Sequence, residues 1–338
     1  MYKSLANKKT LFNCLTAAML LALPFLLILI FGNNYLVFVC CISLIYIIAT
    51  SGLDLLFGYA GQISMGHAAY FAIGAYGSAM LDRYFNIPLY VTIPFVSIAA
   101  AGAGALLAYP ASKLKFHFLS LATISFAEII YNIIYNSPNN ITNNALGMAV
   151  EGISFLGSDY RKWYYFLLVI VIIVLLGKVS LVKSRVGRAF IAIRENTHAA
   201  DGMGINVRKY KVIAFACSAF LTGLAGALYG CIIGFASPDI AKMPQSVLLM
   251  TMLMFGGSGS TFGPICGVVT IEVVLELIRP LQEYQMLFYG ALLLIVIVAM
   301  PGGLHGSLKV IFKKVEARYM AGKKAKENDR EKGGDVRD

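Results

Sequence analysis

Charge is what this chain has least of. Asp, Glu, Lys and Arg make up 13% of its 338 residues, about half the share of an ordinary soluble domain. Acidic residues are the scarcer sign, 17 against 28 basic, for a net charge of +11. The four histidines (His67, His117, His198, His305) are scattered, with no HExxH run. The six cysteines (Cys14, Cys40, Cys41, Cys217, Cys231, Cys266) all fall inside apolar stretches without CxxC spacing, as small buried hydrophobes do. Neither a metal site nor a disulfide framework is indicated. Neither Gly177-Lys178-Val179 nor Gly322-Lys323-Lys324 meets the GxxxxGK[ST] phosphate-loop pattern, so the chain is not expected to hydrolyse ATP itself. With no nucleophile elbow either, no catalytic residue and no enzyme are expected, and no cofactor of the chain's own.

Apolar residues are plentiful: 59% of the chain, with a mean hydropathy of +0.74. They gather into near-contiguous runs of bilayer length, which defines an all-α polytopic membrane protein. Ten segments stand out, at 11–31, 35–56, 62–81, 88–109, 116–135, 163–182, 212–233, 245–257, 262–279 and 285–300. The range is eight to ten crossings, because 245–257 is short enough to be re-entrant. The run 11–31 follows Lys3, Lys8 and Lys9 as a signal peptide would, but it is long and lacks a small-x-small cleavage site, so it reads as a retained span. With ten crossings both termini share one side. Placing them in the cytoplasm puts 23 of the 28 basic residues inside and leaves Arg83, Arg161, Lys162, Lys242 and Arg279 outside. The same clustering in loops and at segment ends argues against a nucleic-acid partner and for membrane lipid. The expected organisation is a cytoplasmic N-terminus at 1–10, a transmembrane domain at 11–308, and a polar cytoplasmic tail at 309–338, disordered by composition.

The longest polar interruption with an apolar face is 183–211, around GRAFIAIRENTHAADGMGINVRKYK. Counting from Lys178, eight basic residues (Lys178, Lys183, Arg185, Arg188, Arg194, Arg208, Lys209, Lys211) surround Glu195 and Asp201. Residues 188–205 are expected to form one short helix ended by Gly204. This string, with the Ala/Gly-rich Ala214–Gly230 after it, resembles the cytoplasmic loop of branched-chain amino acid ABC transporter permeases, the LivM-like group. The stretch Gly58–Tyr76, GYAGQISMGHAAYFAIGAY, resembles a second block of that family, and the likeness extends over roughly 35–306.

The resemblance implies a permease subunit that imports branched-chain or other hydrophobic amino acids across a prokaryotic inner or plasma membrane. The implied partners are two ATP-binding subunits that bind the ATP, a second permease subunit and an extracytoplasmic binding protein. It also implies that Gly187, Arg188, Arg194, Glu195, Asn196, Ala199, Ala200, Gly204 and Ile205 couple the chain to an ATPase. Departures occur at Asn143–Gly147, where the family often has a Gly-Gly-Pro-Asn-Gly-like turn, and at Thr197-His198 and Asp201-Gly202. Gly202 is expected to soften the loop helix by about 1 kcal/mol.

Polar groups at membrane depth are costly unless paired or wet, which marks Gln62, Ser64, Gly66, His67 and Glu128 as candidates for the translocation path. Helix–helix hydrogen bonding is the competing account for Gln62 and Ser64, and the favoured one for His67. Asp54 has similar standing. Glu128, Asp54 and His67 also admit a second class of function, the proton relay of a secondary carrier of a small polar solute. A third is a channel or purely structural subunit, and within the ABC class urea or short amides are alternative cargo. Finally, Phe57-Gly58-x-x-Gly61 and Phe255-Gly256-x-x-Gly259 begin alike, as broken helices of an internal repeat would.

Overall fold

The computed structural model describes residues 34–112, 116–150, 157, 159–278 and isolated positions beyond. The segment 11–31, most of 285–300, the N-terminal ten residues and the tail 309–338 lie outside the described residues. Each of the other eight apolar segments is a helix. They are α1 (Tyr35–Asp54), α2 (His67–Phe85), α3 (Leu89–Ala111), α4 (Phe116–Tyr135), α5 (Tyr160–Lys183), α8 (Val207–Ile233), α9 (Met243–Gly256) and α10 (Gly263–Ile278). Two short helices, α6 (Arg185–Glu195) and α7 (Thr197–Gly202), fill the loop between α5 and α8. Five of the helices, α1 (with the turn that follows it), α3, α4, α5 and α8, are long and apolar enough to cross a membrane.

The core forms around α8, which packs against α1, α2 and α3. Small residues permit this. A Cβ on Gly74 would collide with the Gly223 carbonyl, and one on Gly226 with the Phe71 carbonyl, so α2 and α8 touch backbone to backbone. Apolar side chains that point away from the core, such as Phe95 and Ile98 on α3 and Leu176 on α5, are exposed, as expected where lipid is the solvent.

Two helices begin inside the bundle rather than at its end. After α1 a π-helical turn, Leu55–Tyr59, leads into irregular backbone, and α2 starts only at His67. That backbone is satisfied by side chains from elsewhere: Met65 N–H donates to Thr123 Oγ1 (3.1 Å) and Ala68 N–H to Ser246 Oγ (2.9 Å). Likewise α9 starts level with the middle of α1, where Gln245 Nε2 meets the Tyr46 hydroxyl at 3.4 Å. Its 14 residues span only about 21 Å. The preceding residues Pro238–Ala241 fold against α2 and α4. The short segment 245–257 is thus a short helix continuing an irregular entry, and its far end reaches the turn at Gly257–Gly259. Non-helical backbone at depth is tolerated here because protein surrounds it.

At the opposite end from the α6–α7 loop, Met148–Ala149 (β1) pairs antiparallel with Phe235–Ala236 (β2). This ties the 136–162 loop to the exit of α8. Asn140, Asn143 and Asn144 there adopt left-handed backbone (φ 55°, 55° and 50°), which a short polar side chain tolerates and which accounts for the Asn-rich composition.

Candidate functional site

The loop 183–211 holds two helices where one was expected. Ser184 Oγ caps α6 by accepting from Val186 N–H (3.1 Å) and Gly187 N–H (3.5 Å). Asn196 breaks the run with extended backbone (φ −157°) and caps α7, its Oδ1 accepting from His198 N–H and Ala199 N–H, both at 3.0 Å. Gly202 is the last residue of α7 rather than an interior one, so it does not soften a helix, and Gly204 follows at φ +82°.

The apolar face of the loop is already occupied by its own chain. Ala189, Phe190, Ile193 and Ala200 are buried, with the Phe190 ring edge-on to Tyr210 at 6.5 Å. Gly187 is buried as well, because a Cβ there would strike Val182. Among the residues assigned to coupling, Gly187 and Ala200 therefore face inward and Ile205 is half-buried, while Arg188, Arg194, Glu195, Asn196, Ala199 and Gly204 are exposed. Two apolar side chains join the exposed set, Ile191 at 41% and Met203 at 84%. Beside them an open groove of about 610 Å³ runs along Thr197, His198, Asp201 and Arg208.

The candidates around the α2 break divide three ways. His67 is wholly buried, its Nε2 2.7 Å from Ser218 Oγ and its Nδ1 3.0 Å from Ser64 Oγ. Both ring nitrogens are used, so His67 and Ser64 hold α2 to α8. A Cβ on Gly66 would collide with the Thr123 carbonyl, which gives Gly66 a packing role against α4. Gln62 differs: it is buried, yet neither its Nε2 nor its Oε1 has a hydrogen-bond partner among the described residues, and the same is true of the buried Tyr70 hydroxyl on α2.

Glu128 stands apart from this cluster. It is exposed on α4, where it lines an open groove with Asn132 and Asn136. Glu128, Asp54 and His67 do not form a hydrogen-bonded relay. Glu276, another carboxylate within an apolar helix, accepts from the Tyr35 hydroxyl at 2.8 Å.

Lys178, counted above with the loop charges, lies instead within α5 and is buried. Its Nζ meets Asp54 Oδ2 at 2.7 Å, both side chains fully shielded from solvent. Asp54 Oδ1 accepts from Gly259 N–H, also at 2.7 Å. Removing either partner of such a pair strands a buried charge at a cost of about 3–5 kcal/mol. Sequence reasoning flagged Asp54 but missed its partner; the available signal was a lysine five residues inside the end of an otherwise apolar span, opposite in sign to an Asp in another. At the entry to α9 the Asp239–Lys242 pair (2.6 Å) is exposed, and its hydrogen bond holds the Lys242 amine above its usual value.

These features define a polytopic helical membrane protein with irregular breaks in its interior and a capped helical surface loop, and no metal-binding cluster occurs among the described residues. The family model described as branched-chain amino acid transport system, permease component, matches residues 35–297, and the chain belongs to that family. It is a transport permease component and not itself an enzyme. It is 30% identical over 323 residues to the high-affinity branched-chain amino acid transport system permease protein LivM of Escherichia coli, covering 88% of this chain and 75% of that one. The LivH permease protein of the corresponding system in Salmonella typhimurium is 24% identical over 287 residues (78% and 92% of the two chains). The ribose import permease protein RbsC of Haemophilus influenzae is 24% identical over 277 residues (77% and 80%). No solved structure matches.

Proposed function

We propose that this chain is one of two membrane subunits of an ATP-binding cassette importer for branched-chain or other hydrophobic amino acids, in the inner or plasma membrane of a prokaryote. An extracytoplasmic binding protein delivers the substrate, and two ATP-binding subunits bind and hydrolyse the ATP. The transmembrane domain is 11–308, with ten crossings and both termini cytoplasmic; moving Lys178 out of the loop tally leaves the charge asymmetry in place. The identity to LivM favours an amino acid over urea or a short amide as cargo.

The observation that carries the reading is the α6–α7 loop. Its inner face is spent on its own bundle and both helices are capped, so the outer surface of Arg188, Ile191, Glu195, Asn196, Ala199 and Met203 is rigidly presented. Met203, exposed at the tip of a polar loop, suits a partner's cleft better than water. Loop 183–211 is therefore the contact with an ATP-binding subunit. The translocation path runs by the α2 break, where the unpartnered Gln62 amide is the group best placed to meet a polar substrate. Ser64, Gly66 and His67 shape the wall behind it. Glu128, Asn132 and Asn136, an exposed polar stripe on a membrane-length helix, face water or the second permease subunit rather than lipid.

The test is Glu195→Lys in the full assembly, with labelled leucine uptake and ATPase copurification as readouts. Loss of either supports the loop assignment; wild-type values for both overturn it. Gln62→Ala that transports normally removes Gln62 from the path.

A further inference from the structure

Three stretches far apart in sequence meet where the α6–α7 loop touches the bundle, and they meet through one set of polar bonds. Arg194, on α6, donates from Nη1 to the Gly58 carbonyl in the π-turn after α1. Its aliphatic stem lies against Gly61, where a Cβ would sit 2.8 Å from Arg194 Cγ. Gly58 is so close to both Asp54 Oδ1 and the Gly259 nitrogen that a Cβ would collide with each. Asp54 bonds the turn after α9 through Gly259 N–H (2.7 Å) and α5 through Lys178 (2.7 Å), and Lys178 Nζ reaches the Ser260 carbonyl at 3.5 Å. The two similar glycine motifs, Phe57-Gly58-x-x-Gly61 and Phe255-Gly256-x-x-Gly259, are therefore in contact, with a buried ion pair on one side and the loop arginine on the other.

We infer that Arg194, Asp54 and Lys178 are positioning residues for transport. They transmit displacement of the loop to the two glycine turns from which the irregular entry to α2 and the short helix α9 extend. None of the three touches substrate. Arg194 is the loop's polar link to the first turn. Asp54 holds the second turn to the first, and Lys178 neutralises Asp54 and anchors both to α5, the helix leading directly into the loop. The second turn, Gly257–Gly259, carries no apolar side chain and is held to the first by one carboxylate oxygen, so it can shift without opening voids, which a turn buried in apolar packing cannot do. The inference rests on the proposed role of the loop as the ATPase contact.

The decisive experiment uses the complete importer in proteoliposomes and reads labelled leucine moved per ATP hydrolysed. Arg194 turns its guanidinium to Gly58 and is not part of the outer surface of Arg188, Ile191, Glu195, Asn196, Ala199 and Met203, so Arg194→Met should leave the ATP-binding subunits bound and hydrolysing while leucine moved per ATP falls about tenfold, a coupling effect of ordinary size. Arg194→Lys, which keeps a donor, should recover most of that loss. Two neutral replacements of the ion pair separate transmission from simple stability. Asp54→Asn with Lys178→Met keeps an oxygen for Gly259 N–H and should stay within about threefold of wild type, whereas Asp54→Leu with Lys178→Met should fall about tenfold. Wild-type stoichiometry in Arg194→Met overturns the inference. So does equal stoichiometry in the two paired replacements, which would make the pair merely structural. Should a paired variant fail to reach the membrane, Arg194→Met still decides, because its side chain is exposed. Glu195→Lys separates the two readings. If it releases the ATPases while Arg194→Met transports normally, only this inference fails. If it leaves them bound with leucine uptake at the wild-type level, the role of the loop falls first.

Discussion

The Asp54–Lys178 pair and the His67–Ser64–Ser218 network are equally shut off from solvent, yet they join different kinds of structure. The hydroxyl–imidazole network links α2 to α8 where small residues already bring the backbones into contact; it adds direction to a joint that packing has made. The ion pair lies between the turn Gly58–Gly61, whose Tyr59 and Ala60 are buried in the apolar core, and the turn Gly257–Gly259, which has no apolar side chain of its own to bury. There a strong charge-assisted bond replaces packing. The contrast separates a joint that is fixed from one held by a few removable contacts, and the removable one lies against the loop.

The sharpest way to break the contrast is to strand a charge. Asp54→Ala should cost about 3–5 kcal/mol, seen as a lower unfolding midpoint in detergent, with most of the loss restored by adding Lys178→Met. If Asp54→Ala alone unfolds at the native midpoint, the pair is not the buried contact described. His67→Ala should cost less, about 1–3 kcal/mol, because it leaves two hydroxyls unmatched rather than a charge. A larger loss than Asp54→Ala in the same assay would invert the comparison. Ser218→Ala removes one bond of the network and should cost about 1 kcal/mol by the same measurement. The smallest effect belongs to Asp239→Asn at the exposed pair with Lys242. A change there of less than about 1 kcal/mol, shrinking further with added salt, would confirm that burial rather than ion pairing itself makes Asp54 costly to lose.

Much of the architecture could be read from hydrophobic runs alone, because lipid forces helices to be long and apolar. The two breaks were also visible, as Gly58–Gly66 and Gly256–Gly259, since clustered glycines interrupt a helical run. The partner of Asp54 was not visible. Lys178 stands one turn inside the end of its apolar span, close to a basic loop where solvated lysines also sit, so its place in the span hints at burial but nothing local names a partner. Its partner is 124 residues away, and no periodicity records a contact at that separation. The inward turn of Ala200 was legible in the spacing, because eleven residues after Ala189 and seven after Ile193 fall on the same, buried helix face; its assignment to an outer contact came from the family likeness instead. For Gln62 and Ser64 the sequence offered one description, polar and at depth. Only the bonding pattern separates the amide, which has no partner among the described residues, from the hydroxyl that has one.

The backbone around the start of α2 carries a consequence for how the chain is made. Its amides are matched by side chains that come much later in translation: Met65 by Thr123, Ala68 by Ser246. Asp54 likewise waits for Lys178. A ribosome that has released only the first hundred residues has therefore delivered to the membrane a segment with unsatisfied donors and an unneutralised carboxylate, which bare hydrocarbon does not accept. The early helices must wait in a wet or protein-lined vestibule, and their final seating is set by the arrival of α9, nearly two hundred residues on.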